Sequence, residues 1–298
     1  MVICATPEVT ILTTSYNAGA YLKSAIESLL SQTYQAWKLI LVDNGSTDDS
    51  FKLLSTLDSR ISTYRLPQNI GRTRALQFAL SLSKSPLTAV LDADDLAHPA
   101  RLARQVSVFA DKPNVVLVGS HVRVMTNDCE SSHHLNGVDG IISNDCIGER
   151  NIFAHSSVMF RTDAARTAGG YDSRFRYAQD YDLFLKLAKQ GDLYVLAESL
   201  TTIRRHSNSL TNSRDTQFIR LQDELVLFRE ASSRLDLSEV GLKLNRRRQA
   251  LVLVELGFRE MVRGNVWSGL KTTYSSLKAD SSVSWINYIL RGRPRPKF

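Results

Sequence analysis

Short apolar runs alternate with helical patterns over the first part of the chain. Residues 9–14, 37–42 and 87–91 are rich in Val, Ile and Leu, and each run has the length of a buried β-strand. Between the first two runs, apolar residues recur at helical spacing from Leu22 to Leu30. A strand, a helix and a second strand in this order predict a βαβ unit and an α/β fold.

The patterns that follow extend this sheet and then give way to helices. They predict strands over 115–119, 155–161 and 193–196, and helices over 99–109, 218–235, 242–263 and 266–277 and from Gln179 onward. Residues 126–150 are polar and turn-rich, so we expect an irregular connection there. We predict an α/β domain over residues 1–215 and a helical C-terminal extension over residues 216–298.

The net charge of +7 comes entirely from the C-terminal region. Residues 1–217 carry 22 basic and 22 acidic residues, whereas residues 218–298 carry 15 basic and 8 acidic residues, a difference of seven. The basic excess accompanies no aromatic stacking pattern and no known reader motif, so nucleic acid is not the expected partner. An anionic membrane surface fits a basic helical region better.

Cysteine usage and hydropathy indicate the compartment. The three cysteines have no metal-binding spacing, and their odd number does not suit a set of disulfides. This predicts a protein of the reducing cytosol. The sequence shows no signal-peptide pattern and no apolar stretch of membrane-span length, so we expect a cytoplasmic protein, either soluble or peripheral on the inner face of the membrane. Residues 283–297 place aromatic residues beside four basic and no acidic residues. This segment fits an interfacial anchor or a helix packed on its own domain, and its composition leaves both interpretations open.

The strongest chemical signal is the acidic cluster Asp92, Asp94 and Asp95, directly after the apolar run 87–91. Open α/β sheets place their ligands at the carboxyl ends of strands. Three carboxylates so close together need a cation nearby, and hard oxygen ligands suit Mg²⁺ or Mn²⁺ bound with phosphates. The alternative is that Asp94 or Asp95 only caps the helix that begins at Pro99.

A second acid, Asp43, ends the run 37–42 and precedes the turn residues Asn44 and Gly45. An acid at this position can accept hydrogen bonds from a nucleoside. Ser46 and Asp49 have the spacing of a capping box. The glycine signatures of dinucleotide-binding and P-loop proteins are missing after the first strand, so neither class is favoured.

Other polar residues lie at helix starts and beside a Ser/Asn-rich stretch. Arg72 and Arg74 open a predicted helix, where they could meet phosphate or remain solvated. Asp180 lies at the start of another helix and is either a cap or a functional acid. His206 lies between Arg205 and residues 207–213, a loop that we expect to be mobile, and it is a weak ligand candidate.

Several ordered blocks together resemble the family-2 glycosyltransferases of the GT-A fold, which implies a single Rossmann-like mixed sheet flanked by helices. The resemblance spans residues 7–213. Its blocks are Thr14 to Asn17, Val42 to Asp48, Asn69 to Gly71, Leu91 to Asp95, His155 to Arg161, Gly169 to Asp172, Gln179 to Asp182 and Arg204 to His206. The chain departs from the family pattern in having Asn44 and Gln179 where acids are frequent, and Ile203 where tyrosine is frequent.

The resemblance implies an inverting enzyme with a nucleotide-sugar donor, a UDP-sugar first of all. The acceptor would be a hydroxyl of a glycan or lipid-linked molecule in cell-surface polysaccharide synthesis. Residues 1–120 would form the nucleotide-binding half, and residues 121–215 the acceptor and catalytic half.

The resemblance also implies a role for individual residues. Those that would contact the nucleotide-sugar are Thr13, Ser15, Tyr16, Asp43, Arg74, Asp92, Ala93 and Arg204. Asp94 would bind Mn²⁺ or Mg²⁺, with His206 as a further metal ligand. Asp180 corresponds to the catalytic base.

Two other classes of protein remain as alternatives. A sugar-phosphate nucleotidyltransferase also uses carboxylate-bound Mg²⁺, but it would ordinarily carry a phosphate loop rich in Gly and Lys after the first strand. A noncatalytic nucleotide-sugar-binding protein or membrane scaffold would act through the basic tail. Acids at both Asp94 and Asp180 argue against this last class.

Overall fold

The computed structural model describes residues 8–48, 58–126, 129–133, 139–206 and 213–280, with only the backbone described for 129–133. Within these ranges the strands are β1 (Val9–Ser15), β2 (Trp37–Asp43), β3 (Ile61–Arg65), β4 (Leu87–Val90), β5 (Leu96–Ala97), β6 (Val115–Thr126), β7 (Cys129–His133), β8 (Gly140–Ile142), β9 (Met159–Arg161) and β10 (Asp192–Arg205). The helices in the same ranges are α1 (Gly19–Leu30), α2 (Arg72–Leu82), α3 (Arg101–Asp111), α4 (Asn144–Glu149), α5 (Thr162–Thr167), α6 (Gln179–Ala188), α7 (Arg214–Arg234), α8 (Glu239–Val262) and α9 (Val266–Ala279).

The described strands form one mixed sheet in the order β3-β2-β1-β4-β9-β6-β10-β5, with β7 paired to β6 and β8 paired to β10. β1, β2, β3 and β4 run parallel to one another. β9 is antiparallel to both β4 and β6, and β6 is parallel to β10. The predicted α/β class, with a mixed sheet, flanking helices and C-terminal helices, is confirmed.

The sheet core follows from the apolar runs. Ile11, Leu39 and Ala89 are fully buried on the central parallel strands, as expected for strands covered on both faces. Helix α1 adds apolar side chains to the same core, namely Leu22, Ile26 and Leu29. The helical spacing of these three residues turns one side of α1 toward the sheet.

The predicted irregular connection over 126–150 is wrong. β6 continues to Thr126, and β7, β8 and α4 follow within the described residues. β6 pairs with β10 on one side and with β7 on the other. β7 is polar and pairs with the preceding strand β6, whereas β8 has only three residues and pairs with the distant strand β10. Strands this polar or this short give little periodicity in the sequence.

Two predicted strands have different bounds in the structure. The run 155–161 begins as a 3₁₀ turn, His155–Ser157, and only Met159–Arg161 is a strand. The run 193–196 is the start of β10, which has 14 residues and reaches Arg205. Both differences arise because the pairing partners, not the apolar pattern, determine where these strands begin and end.

The chain divides into two compact units. The first comprises Met1–Ile142, Phe153–Phe175 and Lys186–Ser207, and it contains the sheet. The second comprises Ser143–Ile152, Arg176–Leu185 and Asn208–Phe298. The domain boundary at residue 215 and the two halves of residues 1–215 stay predictions.

The second unit is helical in its described part. α7, α8 and α9 match the three helices expected after residue 216, and Gly264, with φ of +89°, lies at the break between the last two. Gly257 of α8 and Gly269 of α9 allow close backbone approach, since a Cβ added at Gly269 would lie 2.4 Å from the Gly257 carbonyl oxygen. None of the described helices combines the length and the apolar composition that crossing a membrane requires.

Candidate active site

Parallel pairing brings the candidate polar residues to one edge of the sheet. Ser15 at the end of β1 pairs with Asp43 at the end of β2, and Leu12 pairs with Val90 at the end of β4. The segments that follow these three strands therefore emerge at the same edge. Asp43 and the acidic cluster lie on this edge, as the sequence predicted.

The acidic cluster is compact. One carboxylate oxygen from each of Asp92, Asp94 and Asp95 lies within 4.8 Å of the others. A tight turn holds the three residues together, because the Asp95 amide donates to the Asp92 carbonyl oxygen at 3.2 Å. The arrangement offers three hard oxygen ligands to one cation.

The capping interpretation of Asp94 and Asp95 is wrong. α3 begins at Arg101 after Ala100, and no side chain caps it. Asp95 is buried and instead accepts hydrogen bonds from the Ser156 hydroxyl and from the backbone amide of Arg204, the latter at 3.0 Å. These bonds tie the cluster to β10 and to the 3₁₀ turn His155–Ser157.

Arg72 and His155 lie next to Asp92. Arg72 Nη2 lies 2.5 Å from Asp92 Oδ1, and His155 Nδ1 lies 3.5 Å from the same oxygen. Burial by itself would raise the pKa of Asp92, but the Arg72 guanidinium and His155 together lower it below the usual range. His155 is oriented by Tyr171, whose hydroxyl lies 2.9 Å from His155 Nε2.

The other two acids are less well compensated. Burial and the charge of Asp92 raise the pKa of Asp94. Burial and the charges of Asp92 and Asp94 raise the pKa of Asp95 well above its usual range. Burial is the largest cause of both increases in pKa, and the like charges within the cluster add to it.

Arg101 is a buried cation behind the cluster. Its side chain is fully buried, and Nη2 donates to the carbonyl oxygens of Val90 at 2.8 Å and Val158 at 3.1 Å. Burial lowers the pKa of Arg101 to about 10, although the charges of Asp95 and Asp92 oppose this. Arg101 thus fixes the end of β4, from which the acids follow, and supplies a charge opposite to theirs.

The end of β10 contributes Arg204 and His206. His206 Nε2 lies 3.1 Å from Asp94 Oδ2, and the imidazole stacks on Tyr21 at 4.4 Å between ring centroids. Arg204 Nη1 donates to the Ser24 hydroxyl at 2.7 Å. The structure therefore brings Asp94, Arg204 and His206 together, as the family resemblance implied, and their roles stay predictions. Most of the expected mobile loop, residues 207–212, lies outside the described residues.

Asp43 lies beside a groove of about 550 Å³. Its Oδ1 accepts the Ser46 amide at 3.0 Å, and its buried Oδ2 lies 3.2 Å from Arg65 Nε without a hydrogen bond in the described structure. The groove is lined by Gly45, Ser46, Thr47, Arg65, Leu66 and Pro67. The capping box expected from Ser46 and Asp49 involves a residue, Asp49, that lies outside the described residues. The Ser46 hydroxyl accepts a hydrogen bond from the backbone amide of Asn17.

The other residues predicted to contact the nucleotide-sugar differ in how far they are exposed to solvent. Tyr16 is 48% exposed, whereas Ser15 and Ala93 are buried. The Thr13 hydroxyl donates to the Leu91 carbonyl oxygen at 2.8 Å, so it braces the strand that leads to the acids. Arg74 is exposed on α2, and Arg72 from the same helix start is the one that contacts Asp92.

Three residues of the site were not predicted from the sequence, namely Arg101, His155 and Ser156. An arginine shortly after an acidic cluster is a usable signal for Arg101, because a buried group of acids needs a counter-charge. His155 and Ser156 lie far from Asp92 in sequence and give no local signal. Only the antiparallel pairing of β9 with β4 brings them to the acids.

Asp180 belongs to the second compact unit. It lies in the first turn of α6 and is half-buried. Asp180 Oδ1 accepts the Tyr181 amide at 2.8 Å, and Oδ2 accepts Asn151 Nδ2 at 3.2 Å. The helix start was predicted correctly, and the role of Asp180 as base stays a prediction.

The donor set fits a divalent cation. Asp95 already accepts two hydrogen bonds from the protein, and Asp92 is paired with Arg72. Asp94 instead faces the imidazole of His206, and both side chains are metal ligands in proteins. Asp94 and His206 are therefore the pair best placed to hold Mn²⁺ or Mg²⁺.

Comparisons with known proteins agree with this geometry. The family model "Glycosyl transferase family 2" matches residues 10–167, more than half of the chain. The O-antigen biosynthesis glycosyltransferase WbnJ of Escherichia coli is 30% identical over 203 residues, which cover 65% of this chain and 78% of WbnJ.

Two solved structures share the fold. TarS 1-349 from S. aureus, in complex with UDP-GlcNAc, superposes with a TM-score of 0.71 at 12% identity and covers 96% of this chain and 92% of its own. The mannosyltransferase PcManGT from Pyrobaculum calidifontis, in complex with GDP-Man and Mn²⁺, superposes with a TM-score of 0.64 at 17% identity and covers 97% and 80%. Both superpositions show the same fold for this chain. The family model, which spans β1 to α5, shows that the chain belongs to glycosyl transferase family 2.

Proposed function

We propose that this chain is a metal-dependent, inverting glycosyltransferase that moves a sugar from a nucleotide-diphosphate sugar to a hydroxyl of a glycan or lipid-linked acceptor. The observation that carries the proposal is the cluster of Asp92, Asp94 and Asp95, with oxygens within 4.8 Å of one another, on the same sheet edge as Asp43. The proposal includes a cytoplasmic location for the enzyme and a role in making a polysaccharide of the cell surface. The second part is supported by WbnJ, which is an O-antigen biosynthesis glycosyltransferase.

The nucleoside would occupy the groove beside Asp43. A buried carboxylate oxygen without a hydrogen bond favours a ligand that donates one, and the imino N–H of uracil is such a donor. Tyr16 is exposed and could stack on the base. We therefore keep a UDP-sugar as the first donor to test, and GDP-sugars are the comparison because PcManGT, which shares the fold, is in complex with GDP-Man.

The acidic cluster would face the diphosphate. Asp94 and His206 would hold Mn²⁺ or Mg²⁺, which when bound supplies positive charge to the departing diphosphate. Arg204, anchored to Ser24, adds a fixed cation beside Asp94. Arg72 keeps Asp92 ionised, so that Asp92 can accept a hydrogen bond from the ribose.

Asp180 would act as the general base. The acceptor oxygen forms a bond to the anomeric carbon as the bond from that carbon to the diphosphate oxygen breaks, and the diphosphate leaves with the electron pair. Asp180 takes the proton of the acceptor hydroxyl. One displacement of this kind inverts the anomeric configuration.

Replacing the base tests the proposal. In Asp180→Asn we expect the turnover number to fall roughly 10²- to 10⁴-fold, because the amide cannot accept the acceptor proton. Donor binding should stay close to wild type, because Asp180 is not among the predicted contacts of the nucleotide-sugar. The Tyr181 amide still finds an oxygen acceptor, although the bond from Asn151 is lost. The measurement is release of nucleoside diphosphate from a panel of nucleotide-sugars with Mn²⁺ and glycan or lipid-linked acceptors.

A matched control is Asp111→Asn, which changes an exposed acid at the end of α3 and should leave the rate unchanged. Full activity in Asp180→Asn would overturn the assignment of the base. In a parallel assay that supplies a nucleoside triphosphate and a sugar 1-phosphate, release of pyrophosphate together with formation of the nucleotide-sugar would identify a nucleotidyltransferase. Donor binding without turnover in the wild type, across the panel, would identify a noncatalytic binder.

A further inference from the structure

Helix α9 presents a row of apolar side chains to solvent. Trp267, Leu270, Tyr274 and Leu277 are all exposed, and Trp267 is 86% exposed. The four residues are three or four positions apart, so they lie along one side of the helix. We call these four residues the α9 face. Single exposed apolar residues are ordinary, whereas a contiguous apolar row indicates a binding surface.

The opposite side of α9 makes the contact with its own unit. Gly269 and Ser276 are buried there. A Cβ added at Gly269 would lie 2.4 Å from the Gly257 carbonyl oxygen of α8, so the two helices meet through small residues at close range. The α9 face is therefore not needed to hold α9 against α8.

Basic residues border the α9 face. Lys271 and Lys278 are exposed, and each follows Trp267 or Tyr274 by four positions, which places it next to the apolar row. Over residues 263–298 the sequence has seven basic residues and one acidic residue, a net of +6 of the total +7. Two of these six charges lie in residues 263–280, which include α9, and four lie in residues 291–297, outside the described part of the chain.

We propose that the α9 face docks on an anionic lipid surface. A helix with exposed aromatic and aliphatic residues on one side and lysines along its border lies in the membrane interface, with its apolar side chains at the headgroup and acyl boundary. Trp267 and Tyr274 suit this depth because each ring is apolar with a polar tip. Lys271 and Lys278 would lie over anionic headgroups.

A second copy of the chain fits this surface less well. Pairing two α9 faces would bring two groups of lysines together with no acidic residue on either face, and like charges in contact disfavour association. The predicted anchor at residues 283–297 lies outside the described residues, and the apolar row and the two lysines of α9 form a surface without it. The proposal is also independent of the sugar-transfer chemistry.

Vesicle flotation of the full chain tests the proposal. We expect binding to phosphatidylcholine vesicles that contain phosphatidylglycerol, weak binding to phosphatidylcholine alone, and a loss of binding at high salt. The double variant Trp267→Ser with Leu270→Ser should weaken binding to the anionic vesicles about tenfold or more, because it removes apolar area that would be buried. Lys271→Gln with Lys278→Gln should weaken it to a similar, roughly tenfold, extent.

A matched control replaces exposed valines of the same unit that lie off the α9 face. Val226→Ser with Val240→Ser changes residues that are 40% and 65% exposed on α7 and α8, and it should leave vesicle binding unchanged. Wild-type binding in the α9 variants would overturn the proposal and assign any lipid contact to another segment. A wild-type dimer that the Trp267→Ser, Leu270→Ser variant dissociates, without lipid binding, would assign the face to a second copy.

Tryptophan fluorescence gives a second readout that does not depend on variants of the face. The chain has three tryptophans, of which Trp37 is buried in the sheet core. In a Trp285→Phe background, brominated lipids should quench Trp267 emission on binding to anionic vesicles. Unquenched emission from vesicle-bound protein would contradict insertion of the α9 face.

Discussion

Arg101 shows how the acidic cluster is tolerated inside the fold. A buried arginine is expensive to desolvate, and it persists when nearby carboxylates and hydrogen-bond acceptors compensate its charge. Here the guanidinium donates to the carbonyl oxygens of Val90 and Val158, and Asp92 and Asp95 provide the opposite charge. The same contacts hold β4 and the segment before β9 together, next to the turn that carries the acids.

Replacing this cation should be costly. In Arg101→Met we expect the free energy of unfolding to fall by roughly 3 kcal/mol or more, because two carbonyl oxygens lose their donor and the buried acids lose a counter-charge. Arg104→Met on the same helix is the matched control. It removes an exposed ion pair with Glu198 and should have little effect on the free energy of unfolding, because solvent screens the pair.

Chemical denaturation with circular dichroism measures both free energies of unfolding. Equal losses in the two variants would contradict the role of Arg101. An Arg101→Lys variant adds a third comparison, since lysine keeps the charge but cannot donate to both carbonyl oxygens in the same way. It should be intermediate in stability.

The site was only partly accessible from the sequence at the level of single side chains. Asp92, Asp94 and Asp43 could be placed because each comes at or just after the end of an apolar run. His155 and Ser156 could not, since nothing near them in sequence indicates that they contact Asp92 and Asp95. Their positions depend on the pairing of β9 with β4.

Among the elements, the turn after β2 is the one on which the groove depends. Gly45 has φ of +76°, and a Cβ added there would lie 2.4 Å from the backbone carbon of Gln68. The turn therefore packs backbone against backbone on the segment that follows β3. Ser46, Thr47 and Arg65 beside this contact line the groove.

A pair of glycine variants separates this close contact from backbone strain. Gly71 has a similar φ of +87° but no atom within 4 Å of an added Cβ. Gly71→Ala should cost roughly 1–3 kcal/mol of unfolding free energy from backbone conformation alone, because its φ of 87° and ψ of 147° are adopted mainly by glycine. Gly45→Ala should cost roughly 1–3 kcal/mol more, because the backbone must also move.

The same variants should differ in nucleotide binding. Gly45→Ala shifts the turn that carries Ser46 and so should weaken binding of the nucleoside, whereas Gly71→Ala should bind normally. Denaturation and calorimetric titration with UDP measure the two effects. Equal destabilisation by the two variants would mean that the contact with Gln68 is not maintained in solution.

Elements with strong local patterns were predicted well. β1, β2, β4, α1 and the C-terminal helices follow apolar periodicity, and their centres were placed correctly. The strands β7 and β8 and the helix α4 were missed because β7 is polar, because all three are short, and because β8 depends on a partner distant in sequence, β10. The length of β10 was underestimated for the same reason, since it pairs with β6 along most of its length.

For the protein as a whole, binding of the donor should be visible as stabilisation. A ligand that binds only the folded state adds about 2.7 kcal/mol at a hundredfold excess over its Kd. We expect the melting temperature to rise with UDP or a UDP-sugar in the presence of Mn²⁺, and to rise less with EDTA. Differential scanning fluorimetry over a panel of nucleotides and metals measures this shift.

Asp94→Asn provides the control for this measurement. It removes the carboxylate that faces His206 while keeping the shape of the side chain, so the part of the shift that depends on Mn²⁺ should be lost. A shift in Asp94→Asn equal to that of the wild type would contradict the assignment of Asp94 as a metal ligand. A larger shift with GDP than with UDP would instead indicate a GDP-sugar donor.

Local patterns along the chain were enough to establish the class of fold, the order of the central elements and the acids of the site, because apolar periodicity and the residues that end a strand are both visible in sequence. The surroundings of the acids depend on tertiary contacts. Arg72, Arg101, His155 and the pair Arg204 and His206 come from four separate segments, and sheet pairing brings them to one edge. The exposure of the α9 face likewise follows from packing, since periodicity locates an apolar helix face without showing what covers it.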